Sequence, residues 1–187
     1  VVQQRGAAMQ EAADRTPSGM VTILGLERVQ VEALCAKARQ EDILEIANLL
    51  APETIVVSGV NAACERAAEL ALAMGAMKVV PLAVAGAFHT RIMHPADQRL
   101  AEVLSQVHLR RPRIPVVSNV DARPHEDPEE IRQLLIQQVL HPVLWEDSMR
   151  YLISQGFTQF YEVGPGRVLR GLLKRIDRSV SCHNVSG

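Results

Sequence analysis

Aromatic residues are scarce in this chain: three phenylalanines, two tyrosines and one tryptophan among 187 residues. That leaves little for stacking on bases, and a formal net charge of −1 supplies no cationic field, so nucleic-acid binding is not expected. No apolar run reaches the ~18 residues that a membrane span requires, so no membrane partner is expected. The three cysteines, Cys35, Cys64 and Cys182, are odd in number, widely spaced and form no Cys-x-x-Cys pair. Neither a zinc site nor a disulfide framework is supported, and no metal is expected. Cys35 and Cys64 fall in helix-like runs and read as small buried apolar side chains, which agrees with a reducing, cytoplasmic setting. Val1-Val2-Gln3-Gln4-Arg5 has no charged-then-apolar leader pattern, and an opening valine points to a start inside a longer protein.

What is present is an ordinary α/β composition, with 48% apolar residues to fill a core and 22% charged residues to cover it. Residues 2–14 read as a helix with small residues on one face, broken by Thr16-Pro17-Ser18-Gly19. The spacing then predicts a strand over Met20–Leu26, a helix over Val29–Arg39, strands over Ile43–Asn48 and Thr54–Ser58, a helix over Ala62–Met74 capped by Asn61 and ended by Gly75, and a strand over Lys78–Val84. The order β-α-β-β-α-β is that of a ferredoxin-like unit. Farther on, a helix is expected over Pro95–Val107, a strand over Ile114–Asn119 and a helix from the Asp127-Pro128-Glu129-Glu130 start to about Leu140. Trp145–Gln155 reads as helix, Thr158–Val163 as strand and Arg167–Ile176 as helix, an alternation that suggests parallel α/β packing. The expected division is an inserted ferredoxin-like subdomain at 17–85, with 1–16 and 86–187 belonging to one α/β core.

Gly86-Ala87-Phe88-His89 follows the apolar run Val79–Ala85. A histidine just past a buried strand is a candidate general base, because its ring titrates near neutral pH and the strand end holds it at a cleft. Without partners, a lone histidine near apolar residues is more often a packed or surface residue.

The partners come with a resemblance. Arg5-Gly6 with Met9-Gln10-Glu11-Ala12, Gly86 to Thr90 with Met93 and Pro95, Pro115 to Ala122, Pro142-Val143-Leu144-Trp145, and Glu162 to Leu169 stand in consistent order and spacing over about residues 1–178. Together they resemble the malonyl-CoA:acyl-carrier-protein transacylases. The resemblance implies a hydrolase-like parallel α/β core carrying the ferredoxin-like subdomain. It also implies ping-pong transfer of malonyl from coenzyme A to a serine, then to the phosphopantetheine thiol of acyl carrier protein, with no metal or redox cofactor. On this resemblance His89 is the base, and Arg5 grips the malonyl carboxylate with a planar fork. Phe88 excludes branched acyl groups by volume, Gln138 marks a neighbourhood whose main-chain carbonyl orients the histidine, and Asn48 lies near the cleft. After Asn48 the chain departs from the family, with Leu49-Leu50-Ala51-Pro52-Glu53-Thr54 where a second asparagine, a serine and a glutamine are common. Gly164-Pro165-Gly166 reads as a tight turn before a helix start that could also draw an anion. The basic residues of 110–113 and 167–178 form either a solvated face or an attraction for an acidic carrier protein.

One part is missing. The family's nucleophile sits in a Gly-x-Ser-x-Gly elbow, and none of Ser18, Ser58, Ser105, Ser118, Ser148, Ser154, Ser179, Ser181 or Ser186 has glycines two residues away on both sides. The chain therefore reads as a C-terminal part of such an enzyme, inactive alone, with a fatty-acid pathway favoured over a polyketide one. Two further readings are a non-catalytic remnant that binds acyl carrier protein or a partner enzyme, and a free-standing regulatory domain.

Overall fold

A computed structural model describes residues 1–186. Helix α1 (Val2–Arg15) is followed by β1 (Ser18–Leu24), α2 (Arg28–Ala38), β2 (Leu44–Ala51), β3 (Thr54–Val60), α3 (Asn61–Ala73) and β4 (Lys78–Pro81). The second half holds α4 (His94–Ser105), β5 (Val116–Val117), β6 (Pro124–His125), α5 (Pro128–Gln137), β7 (Val143–Leu144), α6 (Trp145–Ser154), β8 (Gln159–Val163), α7 (Val168–Ile176) and β9 (Ser181–Val185). The protein is a mixed α/β fold, as the alternation of periods indicated.

The main sheet runs β4-β1-β3-β2-β7. Its centre is β3, six of whose seven residues are buried, which explains its near-continuous apolar sequence. β3 pairs antiparallel with β1 and β2, β4 pairs antiparallel with β1, and β7 joins β2 in parallel. Helices α2 and α3 cover one face, where Val31, Leu34, Ala63 and Ala67 pack on Ile23, Leu44 and Val57. Gly59 sits where β2 begins, and a Cβ there would meet the Ile43 carbonyl oxygen at 2.1 Å. A second core joins α1 to α4 through Ala8, Ala12, Met93, Ala96, Leu100 and Leu104. Small residues on α1 let the two helices approach closely, which is the use of its alanine face.

Several expectations need correction. β4 ends at Pro81 rather than Val84, since proline has no N–H for the ladder and Leu82 makes one last bond to the Met20 carbonyl (2.9 Å) before the chain leaves the edge. Asn61 does not cap α3. It is the helix's first residue, its N–H bonded to the Pro17 carbonyl (3.3 Å), and Val60 holds the cap position. The strand expected over Ile114–Asn119 shrinks to Val116–Val117, flanked by Pro115 and paired antiparallel with Pro124–His125. The parallel packing expected of the second half is confined to β2–β7 and to a two-stranded sheet of β8 with β9, a strand the sequence pattern did not announce. The start of α5 is as read: the Asp127 carboxylate accepts the N–H groups of Glu129 (2.9 Å) and Glu130 (3.0 Å). Cys35 and Cys64 are buried, and burial pushes the Cys35 thiol up to about 12.

Candidate active site

Gly86-Ala87-Phe88-His89-Thr90 forms a loop between β4 and the short 3₁₀ turn Arg91–Met93. The picture of a histidine at a strand end is thus corrected: β4 stops well short of it, and the loop itself supplies the rigidity. Gly86 lies against α1, where a Cβ would come within 2.6 Å of the Ala13 Cβ. The Ala87 N–H donates to the Ser18 Oγ (3.1 Å), and the Thr90 Oγ1 donates to the Ala87 carbonyl (2.8 Å). These contacts hold His89 at φ +61°, a left-handed conformation that costs a residue with a Cβ roughly 1–2 kcal/mol.

In that conformation the His89 Nδ1 lies 2.9 Å from the main-chain carbonyl oxygen of Gln138. A carbonyl only accepts, so Nδ1 carries the proton and Nε2 keeps its lone pair. Burial is the largest influence on the ring and holds its pKa below the ordinary histidine value. The main-chain bond to Gln138 opposes that shift, while the charges of Arg5 and His141 add to it. The ring is therefore neutral at pH 7, the state a general base needs. Gln138 contributes through its carbonyl, and it also borders a separate hollow with Ser118, Asn119 and His125.

His89 faces a pocket of about 470 Å³ that also takes in Arg5, Met9, Met20, Asn48, Leu82 and Phe88. Four of the five residues singled out in the sequence thus share one cavity, and the fifth stands behind the histidine. Arg5 and Met9 project from one face of α1 a turn apart, and Arg5 has no ion-pair partner among the described residues. Asn48 sits at an irregularity of β2, where the register with β3 shifts between Ile46 and Asn48. Such a bulge re-aims a side chain relative to regular alternation. Phe88 packs on the α1–α4 core and also on the small cluster of Met20, Ala47 and Val56. The lining combines one cation, one neutral imidazole, two amides (Gln10 and Asn48) and apolar walls: a site for a small carboxylate on an apolar stem. No serine, threonine or cysteine lines it among the described residues. Gly6, Met9 and Gln10 entered only as part of the arginine motif, and Met20 and Leu82 were not foreseen, since core and wall apolar residues look alike in sequence.

The Gly164-Pro165-Gly166 turn serves structure rather than an anion. Gly164 (φ +128°) and Gly166 (φ +95°) shape it, and the buried Glu162 carboxylate already takes the N–H groups of Leu169 and Arg170 (both 3.0 Å) at the start of α7. Those bonds, Arg170's first, hold the Glu162 carboxyl below the usual carboxylate range. Arg167, Arg170, Lys174 and Arg178 border a separate surface hollow with Cys182 and His183. No helix among the described residues is long and apolar enough to cross a membrane.

Fold and pocket define a mixed α/β protein with a carbonyl-held histidine beside an arginine that has no ion-pair partner among the described residues. The chain is homologous to the malonyl CoA-acyl carrier protein transacylases: it is 38% identical over 186 residues to that of Bacillus subtilis, covering 99% of this chain and 59% of the relative. It is 37% identical over 176 residues to that of Escherichia coli K12, covering 94% and 57%. The transacylase structure from Coxiella burnetii superposes with a TM-score of 0.95 at 35% identity, over 98% of this chain and 58% of that one. A malonyl-transacylase solved in complex with a type II PKS acyl-carrier protein superposes at 0.93 with 38% identity, over 97% and 59%. No family model matches the chain. The chain spans somewhat under three-fifths of the length of these relatives, in keeping with a reading as part of a longer fold.

Proposed function

We propose that this chain supplies the base and the carboxylate grip of a malonyl transfer from malonyl-CoA to acyl carrier protein in fatty-acid synthesis, in the cytoplasm. The observation that carries this reading is the single pocket that joins Arg5, Asn48, Phe88 and a neutral His89 whose Nδ1 is spoken for by the Gln138 carbonyl. His89 Nε2 takes the proton of a serine hydroxyl supplied by residues other than these, and the serine oxygen attacks the malonyl thioester carbonyl. The C–S bond breaks, and the coenzyme A thiolate leaves with the proton returned by the imidazolium. In the second half His89 takes the proton of the phosphopantetheine thiol, the sulfur attacks the seryl ester, and the serine regains its proton. Arg5 pairs with the malonyl carboxylate through two parallel N–H bonds. Phe88 leaves no room for an added methyl on the malonyl carbon, a preference of about 1–3 kcal/mol. The scheme uses no metal or redox cofactor.

The test mixes the chain with a polypeptide bearing the family's serine elbow, labelled malonyl-CoA and holo acyl carrier protein. Transfer should require both polypeptides and fall about 100-fold or more with His89→Ala, as loss of a general base does. A malonyl-enzyme trapped on the isolated chain, or reconstituted transfer that survives His89→Ala, would overturn the reading. The alternative of a non-catalytic remnant predicts carrier-protein binding without any transfer in the same mixture.

A further inference from the structure

His89 keeps a left-handed backbone that its side chain disfavours, and two hydroxyls outside the pocket bond to the loop that carries it. The first is Ser18, at the start of β1. Its Oγ donates to the Thr16 carbonyl (2.8 Å) and accepts the Ala87 N–H (3.1 Å). The second is Thr90, fully buried, whose Oγ1 donates to the Ala87 carbonyl (2.8 Å) and accepts the Ile92 N–H (3.3 Å). Both hydroxyls use a donor and an acceptor site, so neither is free to turn elsewhere. Ala87, itself fully buried, is gripped at both of its main-chain polar groups. The Thr90 bond to the Ala87 carbonyl closes a ring through the backbones of Phe88 and His89, the two residues this loop presents to the pocket.

We propose that the Ser18 and Thr90 hydroxyls are positioning residues for His89: they clamp Ala87 from both sides and thereby fix the left-handed turn that sets the imidazole Nδ1 on the Gln138 carbonyl. Ser18 lies far from His89 in sequence, on a strand of the main sheet, so the clamp ties the orientation of the base to that sheet. The proposal rests on the acyl-transfer reading only for the use made of the oriented ring. The orientation itself is a property of this chain.

The test is nitrogen-15 NMR of the histidine rings in the chain and in Thr90→Val, Thr90→Ser and Ser18→Ala. Valine keeps the shape of threonine and removes only its hydroxyl function. In the parent chain His89 should be a single Nδ1–H tautomer with a titration midpoint below the ordinary ~6.5. Thr90→Val and Ser18→Ala should each convert it to a mixture of tautomers and lower the midpoint further, because the Gln138 bond that opposes the effect of burial is lost. Thr90→Ser should restore both. The charged groups facing the ring, Arg5 from α1 and His141 after α5, are untouched in all three variants, so a shift reports position. The His125 and His183 signals should stay where they are. Unchanged His89 tautomer and midpoint in Thr90→Val and Ser18→Ala would overturn the clamp, as would a Thr90→Ser protein that behaves like Thr90→Val. Should Thr90→Val not fold, Ser18→Ala and Thr90→Ser decide by the same two readouts. A failed malonyl-transfer reconstitution with these NMR results intact would remove the function and leave the clamp standing.

Discussion

At the scale of single residues the chemistry centres on two side chains with opposite electrostatic situations. His89 is held neutral by burial, and this has a consequence for stability against pH. Its folded pKa lies below its unfolded one, so between the two the unfolded chain binds the extra proton and stability rises with pH. The contribution is complete above the unfolded value near ~6.5 and is lost as pH falls below it toward the depressed folded value. Urea titrations between pH 7 and 5 should show the slope, and His89→Gln should flatten it; an equal slope in the variant would contradict the assignment. Arg5 is the converse, a cation in the pocket with no acidic partner among the described residues, and the proposed grip for the malonyl carboxylate. A charge-assisted hydrogen-bonded pair contributes about 1.5–3 kcal/mol, so malonyl-CoA should bind more tightly than acetyl-CoA by about 10- to 100-fold. Arg5→Ala should bring the two to parity in a calorimetric titration. Parity in the parent chain would remove Arg5 from the role.

At the scale of elements the clearest dependence is on close approach and caps. Gly86→Ala would drive a methyl into Ala13, and an overpacked contact costs about 1–3 kcal/mol. The variant should lose that much stability and weaken malonyl-CoA binding, because α1 carries Arg5 on the same rigid body as Ala13. Asp127→Ala should cost about 1 kcal/mol through the lost cap of α5, the helix whose end presents the Gln138 carbonyl. A shift of the denaturation midpoint with unchanged slope measures both. Such elements were legible because their signals are local: the Asp127-Pro128 start, the apolar run of β3 and the alanine face of α1 all follow from short-range chemistry. The pocket was legible by resemblance, which named Arg5, Asn48, Phe88, His89 and Gln138 without saying that one cavity joins four of them. What stayed hidden depends on distant contacts. Ser18 finding Ala87, the parallel partner of β2 and the strand Ser181–Val185 have no period or spacing to announce them. β4 was overread because Leu82, Ala83 and Val84 look like strand residues until Pro81 leaves the ladder.

At the scale of the whole molecule the two-stranded sheet of β8 and β9 is out of keeping with the rest. Parallel sheets are ordinarily covered on both faces, and a pair of strands alone is marginal. Here Tyr161 and Val163 of β8, with Val185 of β9 in register beside Val163, leave an apolar face open: Val163 is 80% exposed. The inner face, with Phe160 and Cys182, packs on Met149, Leu173 and Ile176. The isolated chain should therefore self-associate with rising concentration, and Val163→Lys should suppress this without altering the secondary structure. Sedimentation velocity over a concentration series measures it, and concentration-independent behaviour of the parent chain would show that the face is tolerated in water.

Phe88 belongs to two hydrophobic clusters at once, the α1–α4 core and the patch of Met20, Ala47 and Val56 on the sheet. Its ring is a mechanical rivet through the pocket wall. Anything that seats against it presses on the helical layer and on the sheet together, so an occupant of the pocket would stiffen both layers as one.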